Sequence, residues 1–174
     1  MNDKTYILTA ELDDASFSWL DALRRQHFPP ERNVLSAHLT MFHRLSGAQV
    51  ERLPPAAMPA EPIELVFDSL RFLGAGVAFS VRSPDLERLR RDIAAAVGGE
   101  LSRQDSQKWT PHVTVQNKVH AATAKALFAA LTENFAMRNG HATGLLVWEY
   151  LGGPWKLVRR ISFAPRDSPV HLEL

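Results

Sequence analysis

One short pattern occurs twice in the chain, as His38-Leu39-Thr40-Met41 and His112-Val113-Thr114-Val115, each within a stretch that has the residue content of a β-strand. Side chains alternate between the two faces of a strand, so His38 and Thr40 point one way while Leu39 and Met41 point the other. The second copy repeats this, with His112 and Thr114 on one face and Val113 and Val115 left for the core. If the two strands lie side by side, two imidazoles and two hydroxyls face one another across a cleft. A third His-x-Thr, His141-Ala142-Thr143, follows Asn139-Gly140 and precedes Gly144, so it reads as a coincidental match flanked by turn residues.

The rest of the chain alternates strands and helices in two similar halves. Thr5 to Leu12 reads as a first strand, and Ser16, as N-cap, opens a helix to about Phe28 with Phe17, Leu20 and Leu23 on one side. Pro29-Pro30 ends that helix, and the first motif strand follows near 34–44. Leu45 to Pro62 is rich in Pro and Ala and reads as a short helical turn and a connector. Ile63 to Leu73 and Val77 to Arg82 flank Gly74-Ala75-Gly76 as a hairpin. A helix from about Pro84 to Val97 precedes the second motif strand near 111–119, an alanine-rich helix covers Ala121 to Phe135, and Ala142 to Tyr150 pairs with Lys156 to Phe163. Both helices that precede a motif contain Leu-x-x-Leu-Arg-Arg, at Leu20 to Arg25 and Leu86 to Arg91, which together with the paired motifs supports an internal duplication.

Composition narrows the function classes. With 174 residues and 45% apolar content the chain has enough material for the core of one domain, 1–174. Twenty basic and 19 acidic residues leave a net charge of +1, which argues against a broad nonspecific DNA-binding surface. The absence of cysteine removes disulfides, zinc-thiolate sites and thiol catalysis together. No apolar run approaches 18 residues and the amino terminus lacks the basic-then-apolar order of a signal peptide, so a cytoplasmic protein with no membrane partner is expected. A glycine-rich phosphate loop and a GxSxG elbow are likewise missing.

The paired H-x-T-hydrophobic motifs, with the flanks Ala37-His38-Leu39-Thr40-Met41-Phe42-His43 and Trp109-Thr110-Pro111-His112-Val113-Thr114-Val115, resemble those of the 2H phosphoesterases, a family that includes proteins named 2′-5′ RNA ligases and cyclic phosphodiesterases. The resemblance covers the whole chain. It implies a bilobal α+β fold, two pseudo-symmetric lobes each with an antiparallel sheet and packed helices, and an active cleft between them. It also implies that His38 and His112 are the catalytic pair and that Thr40 and Thr114 bind the phosphate. Many members have an apolar residue where His43 stands here.

That assignment agrees with the chemistry of the side chains. Phosphodiester cleavage needs one proton removed from the attacking oxygen and one delivered to the departing oxygen, and histidine serves both needs near neutrality. Each threonine hydroxyl donates to a nonbridging phosphate oxygen. Pseudo-symmetry leaves open which histidine is the base. The expected substrate is an RNA end or nucleotide carrying a 2′,3′-cyclic phosphate or a 2′-5′ phosphodiester. Ligation is the reverse reaction and ranks below hydrolysis, because water at ~55 M dominates unless a second RNA end is held in place. An RNA-binding domain without catalysis is the alternative from another class.

Strand parity extends the cleft. Phe42 and Arg44 continue the His38 face and Gln116 and Lys118 the His112 face, provided neither strand is bulged. Arg44 and Lys118 suit neighbouring phosphates and Phe42 a stacked base. Trp109, beside Lys108, and Trp155, beside Lys156, belong to the rim. His43 has the opposite parity and reads as structural, and His27, His120, His141 and His171 fall in helix ends, turns or the tail. A metal site built on His38 and His112 would need a further close ligand and would leave both threonines without a purpose, so neither a metal nor a cofactor is expected. A monomer suffices for such a cleft.

Overall fold

The computed structural model describes residues 3–54 and 58–163. Seven strands, β1 (Thr5–Leu12), β2 (Leu39–Ser46), β3 (Ile63–Phe72), β4 (Val77–Arg82), β5 (His112–Gln116), β6 (Arg138–Tyr150) and β7 (Trp155–Ser162), alternate with helices α1 (Asp14–His27), α2 (Gly47–Glu51), α3 (Pro84–Val97) and α4 (Ala121–Glu133). The fold is α+β with antiparallel pairing, as expected. The strands of both halves are hydrogen-bonded into a single sheet in the order β1-β2-β5-β4-β3-β6-β7, with a further β1–β6 pairing. Because β6 pairs with β1 as well as β3, six strands close into a ring and β7 lies outside it along β6. The long β6 makes this possible: Ala142 is opposite Leu12 on one side and Ile63 on the other.

Local chemistry sets the boundaries. The N-cap of α1 is Asp13, whose Oδ1 accepts from the Ser16 N–H at 2.8 Å, three residues ahead of the expected Ser16 cap. The carboxylate competes successfully because it also accepts from Ser16 Oγ and from the His141 N–H. Ser46 and Gln49 form a reciprocal capping box that starts α2. Ser83 caps α3, with Pro84 at the first helical position, where no donor is lost. Gly76 in the β3–β4 turn is held against β5 so closely that a Cβ there would meet the Gln116 carbonyl oxygen at 1.8 Å, so only glycine fits.

One apolar cluster fills the interior, drawing Leu8, Leu20, Leu39, Met41, Leu65, Ile93, Val113, Val115 and Leu145 from both halves. Leu20 is fully buried on α1, whereas Phe17 is 38% exposed and so lies off the core face assigned to it. His141-Ala142-Thr143 lies within β6, not in a turn. Asn139 and Gly140 are strand residues because Gly140 passes against the Asp13–Ser16 cap, where a Cβ would lie 2.1 Å from Ser16 Oγ. His171 lies outside the described residues. No helix among them is long and apolar enough to cross a membrane.

Candidate active site

The two motif strands are neighbours. β2 and β5 pair antiparallel through Leu39 and Val113, both fully buried. In an antiparallel register that pair sets His38 across from Thr114 and Thr40 across from His112, so each imidazole faces the hydroxyl of the other motif. All four side chains are half-buried and line one cavity of about 350 Å³.

Each imidazole is oriented in the same way. His38 Nδ1 lies 2.7 Å from the Ser36 carbonyl oxygen and His112 Nδ1 lies 2.8 Å from the Thr110 carbonyl oxygen, in both cases two residues back along the chain. A carbonyl only accepts, so both rings carry the proton on Nδ1 and leave Nε2 for the cleft. The Trp155 ring packs on His38 with centroids 4.7 Å apart. Burial pushes the His38 imidazole down to about 4, with the Ser36 hydrogen bond opposing and the charges of Arg24, His112 and His43 adding to the fall. His112 is lowered for the same leading reason, desolvation, with Arg71 and His43 contributing. Both rings are therefore neutral at pH 7 before substrate binds.

Bulges change the rest of the expected face. On β2, Thr40 pairs with Thr9 and Phe42 with Leu8, so Met41 is an extra residue and both Met41 and Phe42 turn into the core. Phe42 is therefore a core side chain and not a stacking platform. On β5, Ala78 pairs with Thr114 and Val77 with Gln116, which buries Val115 and Gln116 alike and removes Gln116 from the cleft. Beyond Gln116 the strand ends, and Lys118 sits in a bend with φ 61°, off the motif face. On β2 a second irregularity sets His43 and Arg44 together opposite Ile7. His43 thus lines the cavity with His38 and His112, against its expected structural role, and Arg44 lines an adjoining cavity. Trp109 and Trp155 do border the cleft, and Trp109 donates Nε1–H to the Thr40 carbonyl at 3.1 Å.

Several residues of the site carry no local sequence signal. Arg71, on β3, reaches the cavity and donates to Thr110 Oγ1 at 2.9 Å beside the His112 ring. Asp105, 2% exposed, accepts from the backbone N–H groups of His43 and Arg44 at 2.8 and 2.9 Å and from Ser102 Oγ at 2.9 Å, and lies 3.1 Å from His43 Nδ1. Burial alone would raise this carboxyl, but these hydrogen bonds outweigh burial and hold it below the usual carboxylate range.

The Leu-x-x-Leu-Arg-Arg repeat does have a structural counterpart. Its first arginine is buried in both copies, Arg24 at 4% exposure and Arg90 at 9%. Arg24 donates Nη1–H to the Thr114 carbonyl, and Arg90 donates Nε–H to the Met41 carbonyl, so each helix secures the motif strand of the other half. Each also ties the segment that leads into a motif, Arg24 at Leu35 and Arg90 at Asp105. Among the described residues no three His, Asp or Glu side chains are grouped as a metal ion would need.

The model of the 2′-5′ RNA ligase superfamily matches residues 12–154. No curated protein matches the sequence. Among solved structures, the fold is similar to that of TT0787 of Thermus thermophilus (TM-score 0.64, 12% identity, covering 94% of this chain and 100% of that one). It is also similar to Escherichia coli LigT in apo form (TM-score 0.60, 13% identity, 93% and 98% covered) and to E. coli LigT complexed with phosphate (TM-score 0.55, 14% identity, 93% and 98% covered).

Proposed function

The chain belongs to the 2′-5′ RNA ligase superfamily, and from that membership we propose that it is a phosphodiesterase that hydrolyses a 2′,3′-cyclic phosphate or a 2′-5′ phosphodiester of an RNA end or nucleotide, by general acid and base catalysis from His38 and His112. The observation that carries the reading is the matched pair of Nδ1–H···O=C contacts, which leaves two Nε2 atoms for one cavity also lined by two threonines. Solved LigT structures described as complexed with phosphate, ATP, NADP+ and 3′-AMP support a phosphorylated nucleotide as the kind of ligand such a fold accepts.

On this reading Thr40 and Thr114 donate to the two nonbridging oxygens of the scissile phosphate, and Arg71 adds positive charge where the transition state gains negative charge. His38, the ring pushed lower, is the base: its Nε2 takes a proton from water as the water oxygen bonds to phosphorus. The imidazolium form of His112, the minor form at pH 7 because burial lowers this ring, gives its Nε2 proton to the ribose oxygen as the P–O bond to that oxygen breaks. One water is consumed, and a phosphomonoester and a free hydroxyl are left. Exchange with solvent restores both rings. The scheme routes no step through a metal. In ligation a ribose hydroxyl takes the place of water, attacks the cyclic phosphate and leaves a 2′-5′ phosphodiester.

Incubation of the protein in chelator with 2′,3′-cyclic nucleotides, a 2′-5′ linked dinucleotide and an RNA with a cyclic-phosphate end, with products resolved by chromatography, tests the reading. Metal-independent formation of a single phosphomonoester isomer is expected. No turnover on the whole panel would favour a binding domain, and activity abolished by chelator would contradict the two-histidine scheme.

A further inference from the structure

His43 is fixed as firmly as the two motif histidines, by different means. Its backbone N–H and its Nδ1 are both tied to the buried Asp105 carboxylate, which leaves its Nε2 for solvent-accessible space. The double spacing on β2 puts His43 about two register steps beyond Thr40 on the same face, roughly 7 Å along the strand. That is the scale of the step between successive phosphates of a nucleic acid backbone. His43 also borders two cavities at once: the one that holds His38, Thr40, His112 and Thr114, and an adjoining one lined by Arg44 and Arg103.

The charges along this second cavity are not neutralised by neighbours. Arg25, Arg82, Arg88 and Arg160 each have a carboxylate partner, whereas Arg44 and Arg103 have none among the described residues. Asp105, which accepts from the Arg44 backbone N–H, is already engaged by three donors besides the His43 ring. Unpaired guanidinium groups beside a preset imidazole suit a phosphate, whose oxygens accept from the guanidinium N–H groups.

We propose that His43, held by Asp105, forms with Arg44 and Arg103 a second anion subsite that takes the phosphate next to the scissile one. The inference rests on the reading above for the position of the scissile phosphate. It narrows the substrate to molecules with two phosphoryl groups on successive positions, such as an oligonucleotide end or a 5′-phosphorylated nucleotide, over a nucleoside with a cyclic phosphate alone. With Nδ1 turned to Asp105, the His43 ring presents its Nε2 edge to this second phosphate.

Two comparisons test the subsite. The first sets kcat/KM for adenosine 2′,3′-cyclic phosphate against that for its 5′-phosphorylated counterpart. The second sets calorimetric binding of 3′-AMP against that of adenosine 3′,5′-bisphosphate. Both are run on wild type, His43→Gln and Arg103→Ala; the two positions are exposed, so neither change opens the core. Wild type is expected to favour the doubly phosphorylated member by about tenfold or more, with the preference in KM, and each variant to bring the ratio towards one. Equal affinity for the two members in wild type, or a preference that survives in His43→Gln and Arg103→Ala alike, overturns the subsite. A binding preference that follows His43 without turnover would keep the subsite and overturn hydrolysis. Turnover without any preference would do the reverse.

Discussion

Leu39 and Val113 are paired across β2 and β5, and theirs is the only register pair joining the two motif strands among the described residues. One pair suffices to set the register, because a slip by one residue would turn His38 and Thr40 into the core. It also leaves the carbonyls of Thr40, Met41 and Thr114 without partners from the facing strand. Trp109, Arg90 and Arg24 donate to those three carbonyls, so each keeps a partner where the strands separate into a cleft.

Arg24 and Arg90 are therefore expected to bear on stability more than on chemistry. Arg24→Met or Arg90→Met removes charged hydrogen bonds to buried carbonyls, and a loss of about 2–4 kcal/mol is expected. Urea unfolding followed by circular dichroism measures this as a lower midpoint at unchanged m-value. Midpoints equal to wild type for both variants would show that water replaces these contacts at no cost.

Asp105 gives the fold a definite acid dependence. Its carboxyl is held below the usual range in the folded state, so the stabilisation it provides is complete above about pH 4, its unfolded value, and is lost as pH falls through the lower folded value. Asp105→Asn is expected to be less stable than wild type at pH 7, with the gap closing as pH falls below about 4. Thermal melts across that range report the difference, and a gap independent of pH would assign the role of Asp105 to shape alone.

The fold class, the order of elements and the four cleft side chains were legible in the sequence, because the H-x-T repeat couples chemistry to strand parity over three residues, too short a span for a bulge to intervene. Parity failed one residue later. Strand parity places Phe42 and Gln116 in the cleft and turns His43 away from it, and the bulges after Thr40 and Thr114 reverse all three placements. Nothing in Met41-Phe42 or Val115-Gln116 announces a bulge, since both pairs hold residues that serve equally well on a regular strand. Arg71 and Asp105 were invisible for a different reason. Arg71 comes from β3 and Asp105 from the segment before β5, so only the closed strand order brings them to the motifs. The Leu-x-x-Leu-Arg-Arg repeat was visible, but no spacing rule reveals that each arginine reaches the strand of the opposite half.

Arg71 is expected to affect catalysis more than folding. Its side chain is exposed and lies beside Thr110 and His112 in the cavity. Arg71→Ala is expected to lower kcat/KM on the order of 100-fold with little change in melting temperature, and Arg71→Lys to recover part of the loss. An Ala variant with wild-type kinetics would place the guanidinium outside the reaction.

The pH profile follows from the two rings. The productive form has His38 neutral and His112 protonated. His38 loses its proton above about 4, and His112 keeps its proton only below a value that lies under the ordinary 6.5. The kcat/KM of the free enzyme is expected to be bell-shaped with its maximum on the acid side of about 6.5, falling as pH rises. A maximum above about pH 8 would be inconsistent with these two groups as acid and base.

Single-site removal of each ring tests the two-histidine mechanism most directly. The measurement is kcat/KM on a 2′,3′-cyclic nucleotide, in chelator, for wild type, His38→Ala and His112→Ala, with circular dichroism to establish that all three are folded. Each substitution is expected to reduce the rate by about 10²–10⁴-fold, with the double variant little worse than either single one, because acid and base act in the same step. Either variant retaining turnover within a few-fold of wild type would contradict that mechanism.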